Sequence, residues 1–235
     1  MATLGFDTAT ETLAVAAAAE GKVILERSVA PGVDARPRHQ QLLLAEVERC
    51  AEAAGGWDAI DRIAVGIGPG SFTGLRIGIA TARALAQARG LEVAGVSTLT
   101  ALALGMADAA GGARPLLPVI DARRGQAFAA PHADDGTPLA EPVVLEPEGL
   151  ADLARSLAEP PLAAGDGALR FRAELEAVGA EVPPDGDEVH SVRARYVCNL
   201  GERADATAPE AVEPVYLREP DAKRWLERHD RSDNS

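Results

Sequence analysis

The residues best suited to chemistry lie in one stretch, Gly66-Ile67-Gly68-Pro69-Gly70-Ser71-Phe72-Thr73-Gly74-Leu75-Arg76-Ile77-Gly78. The apolar run 62–67 leads into it and predicts a buried strand. Residues 73–89, with no Pro and no Gly after Gly78, predict a helix. Ser71 or Thr73 can cap the first turn of that helix by accepting a backbone N–H. Strand, glycine turn and helix N-terminus in succession present open N–H groups to an anion, so Gly68, Gly70 and Ser71 are candidate phosphate contacts. The generic patterns do not fit. A P-loop needs a Lys that this stretch lacks, and a dinucleotide turn needs a third Gly where Ser71 or Thr73 stands. A hydrolase nucleophile elbow on Ser71 needs Gly at the positions of Pro69 and Thr73.

A second candidate is Asp7-Thr8-Ala9-Thr10, at the end of the first apolar run. Asp7 is able to hold a magnesium-bound water, with Thr8 beside it at a nucleotide. The other reading is that Asp7 and Thr8 close a strand end or turn, and the lack of glycine after Asp7 favours it. No catalytic residue stands out. Ser71 as a nucleophile needs a base, and no His is near it in sequence. The four histidines are His39, His132, His190 and His229, no two of them at the i, i+4 spacing a metal on one helix face requires. Asp121 with Arg123 reads as a turn or surface pair. Cys50 and Cys198 show no paired-motif spacing, which argues against a disulfide framework or zinc site.

The elements that must position these residues follow from patterning. Runs 2–7, 13–19 and 22–30, with short turns between them, predict three antiparallel strands. Residues 38–54 predict a helix with Leu43, Val47, Cys50, Ala51 and Ala54 on one face, and Leu42 and Leu44 widen that face enough for two neighbours. After the glycine-turn helix come a strand at 91–96 and a third helix from Ser97 or Thr98 to about Met106. Residues 110–114 read as a linker. A second unit has strands at 116–121, 127–131 and 142–145, helices at 147–157 and 168–178, and a Ser191-capped helix at 192–204. Residues 219–235 form a charged tail predicted to be mobile, with Trp225 as a docking residue.

On the glycine-turn helix, Gly74, Gly78, Ala82 and Ala86 make a small-residue stripe. It admits close packing either within the domain or against a partner chain. Arg76 and Arg83 share one helix face and would be the polar rim of a partner contact. The chain has 235 residues, 47% of them hydrophobic and 3% aromatic, and a net charge of −13. That suffices for one or two compact domains with an aliphatic core, and it disfavours direct binding to nucleic acid. The N-terminus has no signal peptide and no apolar run is long enough to span a bilayer, so a cytoplasmic location is expected.

The run GPGSFTGLRIG resembles the signature of the TsaB (YeaZ) family, bacterial partner proteins in threonylcarbamoyl-adenosine modification of tRNA. Asp7-Thr8-Ala9-Thr10, Val96-Ser97-Thr98-Leu99, Ile120-Asp121-Ala122-Arg123 and Pro214-Val215-Tyr216-Leu217-Arg218 follow the family in order, so the resemblance covers nearly the whole chain. His39-Gln40-Gln41-Leu42 follows it only in part, with Gln40 in a Ser position. The resemblance implies an α/β actin-like ASKHA (ribonuclease-H-like) fold of two lobes with mixed sheets, divided as 1–109, 110–218 and the tail 219–235. It implies a non-catalytic scaffold that binds TsaD, with the ATPase TsaE, for modification of ANN-decoding tRNAs, the tRNA being reached only through the complex. The His pair with which TsaD relatives hold their metal is absent here: its position reads Ser97-Thr98-Leu99-Thr100-Ala101. The partner interface would be Leu42, Gly74, Arg76, Gly78, Ala82, Arg83 and Ala86; a patch built for a homologous partner can self-pair by two-fold symmetry, so both homodimer and monomer stay open for the isolated chain. No cofactor of its own is implied, with Mg-ATP or ADP at the complex interface as the one nucleotide expectation. A second reading is an independent small ATPase or kinase of the same fold, and a third is a peptidase.

Overall fold

A computed structural model describes residues 1–32, 37–110 and 112–218. The tail with Trp225, and parts of the loop before the first helix and of the 110–114 linker, lie outside the described residues.

The first sheet runs β3-β2-β1-β4-β5, with β1 at Ala2–Asp7, β2 at Leu13–Ala19, β3 at Lys22–Val29, β4 at Arg62–Gly66 and β5 at Glu92–Val96. β1, β2 and β3 pair antiparallel, and β1, β4 and β5 pair parallel. The two-residue pleat explains why β2 is nearly all small. Leu13, Val15 and Ala17 join one core with Leu43 and Val47 of α1 (His39–Ala53) and with Ile79 and Ala82 of α2 (Phe72–Arg89). Ala14, Ala16 and Ala18 point the other way, to Ala194 and Cys198 of α7 (Ala194–Arg203). Close approach there also requires glycine: a Cβ on Gly5 would sit 2.6 Å from Cys198 Sγ.

The second sheet runs β8-β7-β6-β9, with β6 at Leu116–Arg123, β7 at Gln126–Ala129, β8 at Val143–Leu145 and β9 at Leu162–Ala164. Leu117 and Val119 face Leu150 and Ala154 of α4 (Pro147–Ser156), Ala168 of α5 (Asp166–Arg170) and Leu175 of α6 (Arg172–Glu176). Leu116 and Ile120 face Leu99, Leu102 and Met106 of α3 (Thr98–Ala110), in a core that also takes in Ala64 of β4 and Val197 of α7. Thus α3 and α7 fill the space between the sheets. Beyond α7 the chain returns along the first sheet: Thr207 pairs with Val93 of β5, and Val215 N donates to Ile67 O at 2.8 Å.

Three elements differ from expectation. α3 runs one turn further, to Ala110. The helix expected at 168–178 is α5 and α6, broken at Phe171 (φ −108°, ψ 29°), whose ring turns into the core. Ser191 does not cap α7, because Arg193 is still extended and the helix starts at Ala194. A distant residue does the capping: Glu26 of β3 accepts the Arg195 N–H at 3.0 Å and the Arg195 and Arg193 guanidinium groups at 2.7 Å. Burial pushes the Glu26 carboxyl up, but these charged bonds outweigh it and leave it below its usual range.

Candidate interlobe site

The glycine turn is built, but its inner side is closed. Asp7 is fully buried. Its Oδ1 accepts the Ala9 N–H and its Oδ2 accepts the Thr98 hydroxyl, both at 2.7 Å. Burial raises its pKa, and these two bonds only partly offset that. Thr8 is equally buried and donates its hydroxyl to Gly74 O at 2.7 Å. The Gly68 N–H goes to Thr98 Oγ1 and the Ser71 N–H to Ala9 O. The strand-end reading favoured for Asp7 and Thr8 is the one their hydrogen bonds match, and the alternative nucleotide contacts at Asp7, Thr8 and Gly68 are corrected: their polar groups are already matched inside the chain. Gly66 and Gly70 are glycine because the Asp7 carboxylate and Ala9 leave no room for a Cβ.

The small stripe is corrected in the same way. Gly74, Gly78, Ala82 and Ala86 are buried inside the chain. A Cβ on Gly74 would collide with Thr8 O and one on Gly78 with Thr8 Oγ1. Of the other expected interface residues, Leu42 is half-buried in the first core. Arg83 is taken by the returning chain, where Val212 O accepts from its Nε at 3.1 Å and from its Nη2. Arg76 is exposed, lies over the Phe72 ring at 3.9 Å and donates to Tyr216 OH at 3.4 Å. The residues left open on α1 and α2 are Leu44, which the sequence pattern had marked as widening the α1 face, and three alanines it passed over. Leu44 is 63% exposed, and Ala80, Ala84 and Ala88 form a second stripe along α2, exposed. Four-residue spacing marks both α2 stripes, so spacing alone could not separate inner from outer.

The outer side of the glycine turn opens on a cleft of about 600 Å³ between the lobes. Gly70 and Ser71 line it, as do Phe72 and Arg76 on the same wall. Ser71 Oγ caps α2, accepting the Gly74 N–H at 3.3 Å. The facing wall is the β6–β7 turn and the start of α5. There Asp166 accepts the Asp121 N–H at 2.9 Å, and Asp121 accepts from Arg170 at 3.1 Å. Burial, chiefly, and the charges of Asp121 and Glu11 push the Asp166 carboxyl up. Arg123 crosses the cleft to pair with Glu11. At one edge Arg218 donates to Ala122 O and Gln126 Oε1, both 3.2 Å away, so the returning chain ties the lobes together. Asp121 and Arg123 form the turn pair expected from the sequence, Asp121 accepting the Arg123 N–H at 2.8 Å and its guanidinium at 3.4 Å, and that pair also lines the cleft wall.

His39, at the start of α1, donates from Nε2 to Thr10 O at 2.9 Å, and burial lowers its pKa, so it is a neutral tie between helix and turn. Among the described residues no group of three or more His, Cys, Asp or Glu is placed to hold a metal, and no helix is long and apolar enough to cross a membrane.

The family model for TsaD, tRNA N6-adenosine threonylcarbamoyltransferase, matches residues 23–175. The chain is 32% identical to the tRNA threonylcarbamoyladenosine biosynthesis protein TsaB of Escherichia coli (strain K12), over 93% of this chain and 95% of that one. The chain belongs to the TsaB family. YeaZ from Pseudomonas aeruginosa superposes on this TsaB-family chain with a TM-score of 0.72 and 28% identity, over 92% of this chain and 99% of that one. A ROK hexokinase from Thermus thermophilus shares the fold alone, at a TM-score of 0.50 and 16% identity over 86% and 99% of the two chains. The two-lobed actin-like architecture expected from the sequence is the one found.

Proposed function

We propose that this TsaB-family chain is a non-catalytic scaffold of the threonylcarbamoyl-adenosine tRNA modification system, acting in the cytoplasm by binding TsaD, with TsaE joining the complex. Family membership supports the pathway. The scaffold reading is carried by the open face of α1 and α2. Leu44 stands 63% exposed on α1, and Ala80, Ala84 and Ala88 are exposed along α2. An exposed leucine and an exposed stripe of alanines let a partner helix approach closely over an apolar contact. The signature residues of the chain bond to one another rather than to a reacting group, which also fits a scaffold. A second copy of the chain can occupy the same face by two-fold symmetry, giving a homodimer when TsaD is absent.

The test is size-exclusion chromatography with light scattering on the chain mixed with its host's TsaD. Wild type should give a one-to-one complex. Ala84→Glu, alone or with Leu44→Glu, puts unpaired charge on that face without touching the core, and should abolish the complex while leaving the circular dichroism unchanged. A full complex with the doubly substituted protein would overturn the assignment of the face.

A further inference from the structure

We propose that the C-terminal segment folds back on the chain it leaves, with Trp225 and Leu226 covering the exposed apolar cluster of Phe72, Val215 and Tyr216 at the head of α2. The contact is intramolecular and autoinhibitory, because it occupies ground that a partner helix needs. That last step alone rests on the scaffold reading.

Phe72, Val215 and Tyr216 are 37%, 37% and 40% exposed, and the two rings lie with centroids 5.2 Å apart. Arg76 lies over Phe72 and donates to Tyr216 OH, so the rings are held in place while much of their surface is open. Backbone groups are open there as well. The Val215 N–H is taken by Ile67 O at 2.8 Å, and along an extended run the next residue, Tyr216, turns its N–H and C=O the other way. Among the described residues neither has a partner. A run bonded along one edge and free along the other accepts a further extended segment.

The occupant follows from where the described chain ends. It bends at Leu217 and Arg218, and the Arg218 side chain is anchored on Ala122 O and Gln126 Oε1. The next residues are Glu219-Pro220-Asp221-Ala222, with Pro and Asp in the two central places of a turn. A chain reversed there brings Trp225 opposite Tyr216, Leu226 opposite Val215 and Arg228 opposite the exposed Glu213. Each pair is complementary: aromatic on aromatic, aliphatic on aliphatic, cation against carboxylate. Trp225 and Leu226 are the only large apolar residues in 219–235, and they fall on the two positions that meet the apolar cluster. The short tether from Arg218 holds them there at an effective concentration of about millimolar, which favours the chain's own tail over a second copy. Arg76 is also the first residue of the four-spaced row that continues as Ala80, Ala84 and Ala88. A tail over Phe72 and Arg76 blocks the head of that row, and a partner helix must displace it.

The test uses the full-length chain with Trp57→Phe, in which Trp225 is the sole tryptophan. Acrylamide should quench Trp225 severalfold less than free N-acetyltryptophanamide, at every protein concentration. Tyr216→Ser should raise the quenching towards that of the free compound. Glu213→Arg should raise it in part, and Arg228→Glu added to Glu213→Arg should lower it again. Glu213 and Tyr216 are exposed, and circular dichroism checks that the variants fold. Full quenching in the parent chain, no response to Tyr216→Ser, or no rescue by the charge swap would overturn the fold-back. Protection that grows with protein concentration would overturn it too, since a second copy would then cover the cluster. The competition is read separately, by titration with TsaD. If the docked tail outweighs the open form about tenfold, Trp225→Ala should bind TsaD about tenfold more tightly. Unchanged affinity with Trp225 protected would overturn the autoinhibition. A freely quenched Trp225, in a chain whose TsaD complex Ala84→Glu still abolishes, would overturn the fold-back and leave the scaffold face standing.

Discussion

The Thr98 hydroxyl donates to Asp7 Oδ2 at 2.7 Å, joining the first residue of α3 to the last residue of β1 across 91 positions of sequence. Through Thr98 Oγ1 the bond extends to the Gly68 N–H, so β1, the glycine turn and α3 meet at one buried point. Burial raises the Asp7 pKa above its ordinary value. The folded chain therefore holds this proton more tightly than the unfolded chain does. Asp7 alone makes stability fall as pH rises from the ordinary carboxylate range through its raised value. Asp7→Asn is nearly isosteric and cannot ionise. Relative to wild type, its melting temperature should rise as pH is raised from about 3 to 7, while wild type and variant differ least at the acid end. Melting curves across that range check it; a difference that shrinks with rising pH would show Asp7 to be stabilising as an anion.

Gly74 and Gly78 lie against Thr8, and a methyl group at either position collides with it. Gly→Ala in a helix ordinarily gains about 1 kcal/mol. Here overpacking should reverse the sign, and Gly78→Ala should lose about 1–3 kcal/mol, or roughly 2–4 °C in Tm per kcal/mol for a chain of this size. The exposed Ala84 is the control, since Ala84→Leu should change stability by less than about 0.5 kcal/mol. Leucine at Gly78 and Ala82 would disrupt the domain itself, so it cannot serve as an interface test. Denaturant melts of Gly78→Ala and Ala84→Leu distinguish the two stripes. A stable Gly78→Ala would mean that the helix can move off Thr8.

Glu26 is the tertiary cap of α7. Its side chain is 6% exposed and its partners Arg193 and Arg195 are 20% and 41% exposed. Glu26→Ala leaves a half-buried guanidinium and the Arg195 N–H without an acceptor, and should cost about 2–3 kcal/mol. Glu26→Gln keeps an acceptor for the N–H and should cost less. The folded pKa of Glu26 is depressed, so its contribution is present above the ordinary carboxylate value and is lost as pH falls through the folded value. Chemical denaturation at neutral and acid pH measures both: the gap between wild type and Glu26→Ala should close in acid.

The boundary between what is local and what is not can be drawn residue by residue. The Leu-Ala-Val alternation that opens β2, the end of α1 at Gly55 and Gly56 (φ 106° and 94°, with the Gly56 N–H closing back on Ala51 O) and the Ser71 cap of α2 are written into adjacent residues, because pleat, left-handed turn and first-turn N–H are short-range matters. The GPGSFTGLRIG run and its companions carried the family and, with it, the two-lobed fold. The sequence by itself did not determine which side of the glycine turn faces inward. The turn at Asp7 and Ala9 was legible locally, but the partners that close Asp7, Thr8 and Gly68 to a ligand, Thr98 and Gly74, are supplied by the crossover of β4 and β5 past β1. The tertiary structure also decided which of two small-residue stripes of the same four-residue spacing on α2 is buried. It placed Glu26 at the start of α7, and it brought Arg76, Arg123, Arg124 and Arg218 to one cleft. The physical reason is the same each time: a polar group takes the nearest acceptor in space, and strand order, which no local pattern encodes, sets which groups are near.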